Sequence, residues 1–202
     1  MQMIAATKNK GKIREIEKIF SELGIDVISA EEAGIDVDVE ETGSSFIENS
    51  LIKARSIAMF CDSIVLADDS GLCVDALGGM PGIYSARYAG ENATDAEKIA
   101  KLLSELDGVE NRDAMFVTAV AVVFPNGREI TAMGDVKGYI LDAPDGSNGF
   151  GYDPVFYSTE LQKSFASATD DEKNSVSHRS RALKALYEKI KDFPEISEQG
   201  DE

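Results

Sequence analysis

The feature that most restricts this chain is a short apolar run, Ile64-Val65-Leu66-Ala67, that stops at Asp68-Asp69-Ser70-Gly71. An apolar run of this length bounded by polar residues reads as a buried strand. The polar cluster after it reads in two ways. It is a turn, since Asp, Ser and Gly all favour turns. Or it is a ligand site at the carboxyl end of a strand in an α/β sheet. Adjacent carboxylates at such a place suit a divalent metal or the activation of a water. Either reading requires further strands and covering helices from the rest of the chain.

Residues 3–6 are a strand candidate, followed by a polar turn, Thr7-Lys8-Asn9-Lys10-Gly11-Lys12. Ile13, Ile16, Ile19, Phe20 and Leu23 then fall at helical spacing up to Gly24. A helix start offers N–H groups and the positive end of the dipole to an anion, and the lysines add charge. A solvated first turn is the alternative. The turn is not a P-loop, because that pattern's first Gly is absent and no Ser or Thr follows Lys12. Residues 25–30 read as a second strand. Ser45-x-x-Glu48 and Thr94-x-x-Glu97 are capping boxes. They open helices carrying Phe46, Ile47, Leu51 and Ile57, and Ile99, Leu102, Leu103 and Leu106.

Residues 72–77 alternate like a strand, and the glycine-rich stretch 78–90 reads as a packed loop. A long β-rich run over 114–124 meets a hairpin turn, Pro125-Asn126-Gly127-Arg128, and returns over 129–135. Residues 137–141 are a further strand candidate. This antiparallel element makes the sheet mixed, so the fold class is α/β with a mixed sheet flanked by helices. Gly149-Phe150-Gly151-Tyr152-Asp153 interleaves aromatics with glycines, which suits either base stacking or a tight turn. A last helix carries Ala182, Leu183, Leu186 and Ile190. The chain reads as one domain over 1–192 with an acidic, frayed tail over 193–202.

Charge narrows the function. With 20 Lys and Arg against 37 Asp and Glu, the net charge of −17 repels a nucleic-acid backbone. A small anion in a local basic pocket is not excluded. Cys61, Cys73 and His178 lack zinc-ligand spacing, and the cysteines read as free thiols in a reducing compartment. The start of the chain lacks signal-peptide features, and no stretch is long enough to span a bilayer. The expectation is a soluble, cytoplasmic protein with neither a nucleic-acid nor a membrane partner.

Six motifs occur in order: Thr7-x-Asn9-x-Gly11-Lys12, Glu40-Glu41-Thr42-Gly43-x-Ser45-Phe46-x-Glu48-Asn49, Ala67-Asp68-Asp69-Ser70-Gly71-Leu72, Pro81-Gly82-Ile83-Tyr84-Ser85-Ala86-Arg87-Tyr88, Gly149-Phe150-Gly151-Tyr152-Asp153-Pro154 and Ser177-His178-Arg179. Together they resemble the inosine/xanthosine triphosphate pyrophosphatase family, from Ile4 to about Leu186. Lys8 stands where some members carry a smaller residue. The resemblance implies hydrolysis of ITP, dITP and XTP to the monophosphate and pyrophosphate, with Mg²⁺, by a homodimer that cleanses the nucleotide pool. It implies an elongated, two-lobed fold with a central, twisted mixed sheet and a deep cleft between the lobes.

By the same resemblance, Thr7, Asn9 and Lys12 match a triphosphate-binding turn, and Lys53 matches a basic residue of the phosphate pocket. Glu40 and Asp69 match metal ligands, and Asp69 the proton acceptor. Ser70, Phe150, Gly151, Tyr152, Asp153, Lys173, His178 and Arg179 match substrate contacts. Chemistry on its own leaves both Asp68 and Asp69 as candidate bases. For the substrate that the resemblance implies, Arg179, Lys173 and backbone N–H groups would be donors to a 6-oxo purine, Phe150 or Tyr152 the stacking surface, and Asp153 an acceptor for a ring N–H.

Overall fold

The computed structural model describes residues 2–21 and 24–197. Leu23 and the last part of the tail, 198–202, lie outside these. The chain forms a seven-stranded sheet of order β2-β1-β3-β4-β5-β6-β7. Its strands are β1 (Gln2–Ala5), β2 (Asp26–Ser29), β3 (Ile64–Val74), β4 (Asp113–Val123), β5 (Glu129–Ile140), β6 (Phe156–Ser158) and β7 (Lys163–Ser164). The helices are α1 (Lys10–Ser21), α2 (Phe46–Ala58), α3 (Asp95–Glu105), α4 (Asp170–Val176), α5 (His178–Ile190) and α6 (Pro194–Ser197). β1 pairs parallel with β2 and β3, while β5-β6-β7 are antiparallel, so the sheet is mixed as expected.

The chain divides into two compact units. The first holds the chain up to Asp69, Thr118–Gly134 and the stretch from Arg179. Its core joins Met3, Ile16, Phe20, Leu66 and Val122 to Leu183, Leu186 and Ile190 of α5. A second cluster, around Val65, Ala67 and Ala121, takes Ala54 and Ile57 from α2. The second unit holds Ser70–Val117 and Asp135–His178. Leu72, Ile99, Leu102, Phe116, Phe156 and Phe165 are among its core residues. In it Gly138 lets β5 and β6 close up: a Cβ there would lie 2.1 Å from the Tyr157 carbonyl oxygen.

The apolar run at Ile64 does not end at the acids. β3 continues through Asp68, Asp69, Ser70 and Gly71 to Val74, so the turn reading fails. Pairing explains the misleading pattern. β1 matches β3 only at Ile64, Val65 and Leu66, and the Ala6 amide closes that ladder on the Leu66 carbonyl. The acids therefore sit within a strand, yet just past the carboxyl end of β1. Similarly, the strand expected from residue 137 is the continuation of β5. The tail also differs at its start. Phe193 packs on Phe124 under Arg128, and Pro194–Ser197 is helical, so 193–197 are folded onto the first unit.

Candidate active site

In the first unit, Asp68 and Asp69 are adjacent in one strand but have different partners. Asp68 is 1% exposed. Its Oδ2 meets Lys12 Nζ at 2.9 Å and accepts from Arg179 Nε and Nη2, both at 3.3 Å. Arg179, also 1% exposed, donates through Nη1 to Glu15. Arg179 is thus a buried clamp on Asp68, although donation to a purine was expected of it.

Asp69 is 5% exposed and accepts from Asn49 Nδ2 at 3.1 Å. Lys53 Nζ lies 3.5 Å from its Oδ1. Burial pushes the Asp69 carboxyl above its ordinary range. The lysines and Asn49 pull it back without cancelling that effect, and Glu41 adds to it. Asn49 is fully buried and bridges two segments, since its Oδ1 accepts the Gly43 amide at 2.8 Å.

Lys53 donates to Glu41 at 2.9 Å. Burial alone would lower its pKa, but Asp68, Asp69 and Glu41 outweigh that and hold it above the ordinary value. Lys12 goes the other way. Burial lowers it, and Lys53 and Arg179 add to the effect beyond what Asp68 restores. Lys12 thus shares Asp68 with Arg179 while burial penalises its charge.

Glu41, not Glu40, is the residue of its pair that touches this cluster; Glu40 is exposed. The expected anion-binding helix start is also altered. Asn9 Oδ1 accepts from the Gly11 and Lys12 amides at 2.9 and 3.2 Å, and Thr7 Oγ1 accepts from the Asn9 amide. Asn9 therefore caps α1, and an arriving phosphate would meet Lys12 rather than those two amides. Ser70, half-buried, follows Asp69 in β3 and begins the second unit.

In the second unit the segment after Gly149 is fixed at several points. Asp153, 3% exposed, accepts from Lys173 Nζ at 2.7 Å and from the Phe150 amide at 2.9 Å. Lys173 lies 4.8 Å from the centre of the Phe150 ring and 5.6 Å from that of Phe165. Gly149 has φ +76°, and a Cβ there would lie 2.1 Å from Asp153 Oδ2, so only glycine fits. The Gly151 amide donates to Asp95 at 2.7 Å. These two backbone N–H groups both meet carboxylates.

Tyr152 is 4% exposed and donates to the Ser85 carbonyl at 3.0 Å, so its ring belongs to the core and Phe150 is left as the stacking candidate. Tyr152→Phe is expected to cost about 1 kcal/mol, the worth of one buried hydrogen bond, read as a lower denaturation midpoint. His178, 4% exposed, stacks on Phe116 with centroids 4.7 Å apart.

Four partners of the expected residues escaped sequence reasoning: Glu15, Glu41, Asn49 and Asp95. Glu41 and Asn49 stand inside a recognised motif, which was the available signal. Glu15 and Asp95 are acids on α1 and α3 outside every recognised motif, which leaves no local signal.

Comparison with known proteins covers almost the whole chain. The model of the Ham1 family matches residues 3–189. A dITP/XTP pyrophosphatase of Bacillus anthracis is 47% identical over 196 residues, covering 95% of this chain and 97% of that one. The Bacillus subtilis dITP/XTP pyrophosphatase is 48% identical over 187 residues, covering 92% and 94%. Among solved structures, the Ham1 protein of Staphylococcus aureus is similar with a TM-score of 0.84 at 42% identity, covering 95% and 98%. A HAM1 protein from Coxiella burnetii gives 0.85 at 40%, covering 95% and 99%.

Proposed function

The chain belongs to the Ham1 family, and from that premise we propose that it hydrolyses dITP, ITP and XTP to the nucleoside monophosphate and pyrophosphate. The observation that carries this reading is identity near 47% to a dITP/XTP pyrophosphatase over almost the whole chain. The cluster at Asp68 and Asp69 supports it chemically. Expelling pyrophosphate from the α-phosphorus needs cations for the phosphate charge and one group to take a proton from water. Lys12 and Lys53 supply the charge, and a triphosphate would bring negative charge to Lys12, whose ammonium form burial disfavours.

Asp69 takes the proton. Its raised pKa suits a base. Asp68, whose Oδ2 already accepts from Lys12 and Arg179, is badly placed to accept another proton, and acts by orienting these cations. Mg²⁺ takes oxygen ligands, usually one or two carboxylates with phosphate oxygens and waters. Among the described residues no cluster of three or more His, Cys, Asp and Glu could hold a metal by itself. By the family resemblance Asp69 and Glu40 would hold Mg²⁺, completed by phosphate oxygens, although in this structure it is Glu41 that meets Lys53 beside Asp69. When bound there, Mg²⁺ supplies charge neutralisation and a more acidic water.

The proposal extends to the remaining contacts. Thr7, Asn9, Lys12, Lys53 and Ser70 serve the phosphates and sugar, Phe150, Gly151, Tyr152, Asp153, Lys173 and His178 serve the base, by contact or by fixing those that do, and Arg179 acts through Asp68. The chain is one domain over 1–192, with two lobes and a cleft that receives the substrate. The enzyme works as a cytoplasmic homodimer. Among the described residues no helix is long and apolar enough to cross a membrane.

The test is pyrophosphate release from dITP, XTP, dATP and dGTP with Mg²⁺. A site that hydrogen-bonds a 6-oxo group leaves donors facing donors with adenine. The expected kcat/KM for dATP is therefore about 10⁴-fold below that for dITP. Turnover of dATP or dGTP as fast as dITP would overturn the base selection.

A further inference from the structure

Asp95 is the first residue of α3, directly after its N-cap Thr94. Its Oδ2 accepts the Gly151 amide at 2.7 Å, across 56 residues of chain. Its Oδ1 meets Lys98 Nζ at 2.6 Å, one turn along the same helix. Burial pushes the carboxyl up, but the Lys98 bond and charge and the Gly151 amide outweigh it, so the carboxyl is held below its ordinary range. It therefore stays ionised, a charged acceptor for a neutral amide.

The loop that it touches has further ties: the Ser147 and Asn148 amides donate to the Ala166 carbonyl, and the Tyr152 hydroxyl to that of Ser85. The Phe150 amide, which precedes that of Gly151, goes to Asp153, which Lys173 anchors. Gly149 and Gly151 both have positive φ, at +76° and +63°. Two successive amides thus go to two carboxylates, one within the loop and one on α3, with Phe150 between these anchors. α3 and this loop also line a cavity of about 550 Å³, which includes Ile99, Leu103, Phe150 and Pro154.

We propose that Asp95 is a positioning residue for base recognition: by holding the Gly151 amide it fixes the Phe150 ring and the Asp153–Lys173 pair in the geometry that receives the purine. This rests on the reading of Phe150, Asp153 and Lys173 as base contacts. The energetic scale is one hydrogen bond to a charged acceptor. Because base contacts act on binding, the loss falls on KM rather than on the phosphorus chemistry.

The experiment compares Asp95→Ala and Asp95→Asn with the unaltered protein, using dITP as substrate and inorganic pyrophosphate as product inhibitor. Asp95→Ala is expected to raise KM for dITP about ten-fold, or ~1.4 kcal/mol, with kcat within about two-fold. The inhibition constant of pyrophosphate, which carries no base, should stay within about two-fold. Asp95→Asn can still accept the amide through its carbonyl oxygen and should restore most of the KM. An unchanged KM in Asp95→Ala overturns the proposal. So does an equal loss in kcat and in pyrophosphate binding, the mark of general unfolding, or an equal KM defect in a folded Asp95→Asn. If the unaltered protein turns over no dITP, it is the functional reading that fails.

Discussion

Asp69→Asn is expected to lower kcat for dITP by about 10²- to 10⁴-fold, the usual worth of a general base, in a protein that still folds. Asparagine matches the volume of the aspartate, and its carbonyl oxygen can keep the bond from Asn49. Lys53 retains Glu41 at 2.9 Å. The fold should be helped rather than harmed. In the folded protein burial holds the Asp69 proton more tightly than in an unfolded chain. Its contribution to stability is therefore full below the ordinary carboxylate range and is lost as pH rises through the raised value. At neutral pH the amide escapes that loss, so the melting temperature of Asp69→Asn should equal or exceed that of the parent. Pyrophosphate release and thermal denaturation on the same preparation check both halves, and raising Mg²⁺ should not restore the rate. Undiminished turnover would remove Asp69 from the reaction.

Asp68→Ala should behave in the opposite way. It leaves Lys12 and Arg179 buried beside each other without the carboxylate that both now meet. Breaking a buried ion pair from one side costs about 3–5 kcal/mol, because the remaining charge is uncompensated. In a chain of this size that is a fall of roughly 10 °C in melting temperature. Urea denaturation provides the direct measure, and a loss below ~1 kcal/mol would show that the pair is solvated. Two neighbouring aspartates of one strand thus separate into one that costs stability and serves the reaction, and one that secures the cations around it.

Much of this was legible in the sequence, for identifiable reasons. Helices with polar caps and regular apolar spacing were found within a few residues. Thr94 and Glu97 form the full reciprocal cap, while Glu48 reaches past Ser45 to the Ser44 amide and hydroxyl. The misread parts have a common cause. Asp68 and Asp69 look like a strand end because acids are rarely buried in a strand, and only their cation partners, distant in sequence, make it possible. Likewise Tyr152 looked available for stacking until its hydroxyl found the Ser85 carbonyl, a partner 67 residues away. β6 and β7 are too short to leave a period, and α4 was missed although Thr169 and Glu172 cap it. Pairings between remote residues leave little local trace, and the candidate site is made mostly of them.

The chain passes between the two units at Asp69, at Val117, at Gly134 and at His178, so neither unit is a continuous segment. The core beneath Lys12 and Asp68 includes Leu183, Leu186 and Ile190, near the end of the described chain. During synthesis, the first strands must therefore wait with their apolar faces uncovered until α5 leaves the ribosome. Deleting residues from 178 onward cannot yield a smaller working protein. It removes Arg179 from Asp68 and part of the floor beneath the opening strands together. For the same reason, separate expression of either unit calls for a rewired connection rather than a simple cut.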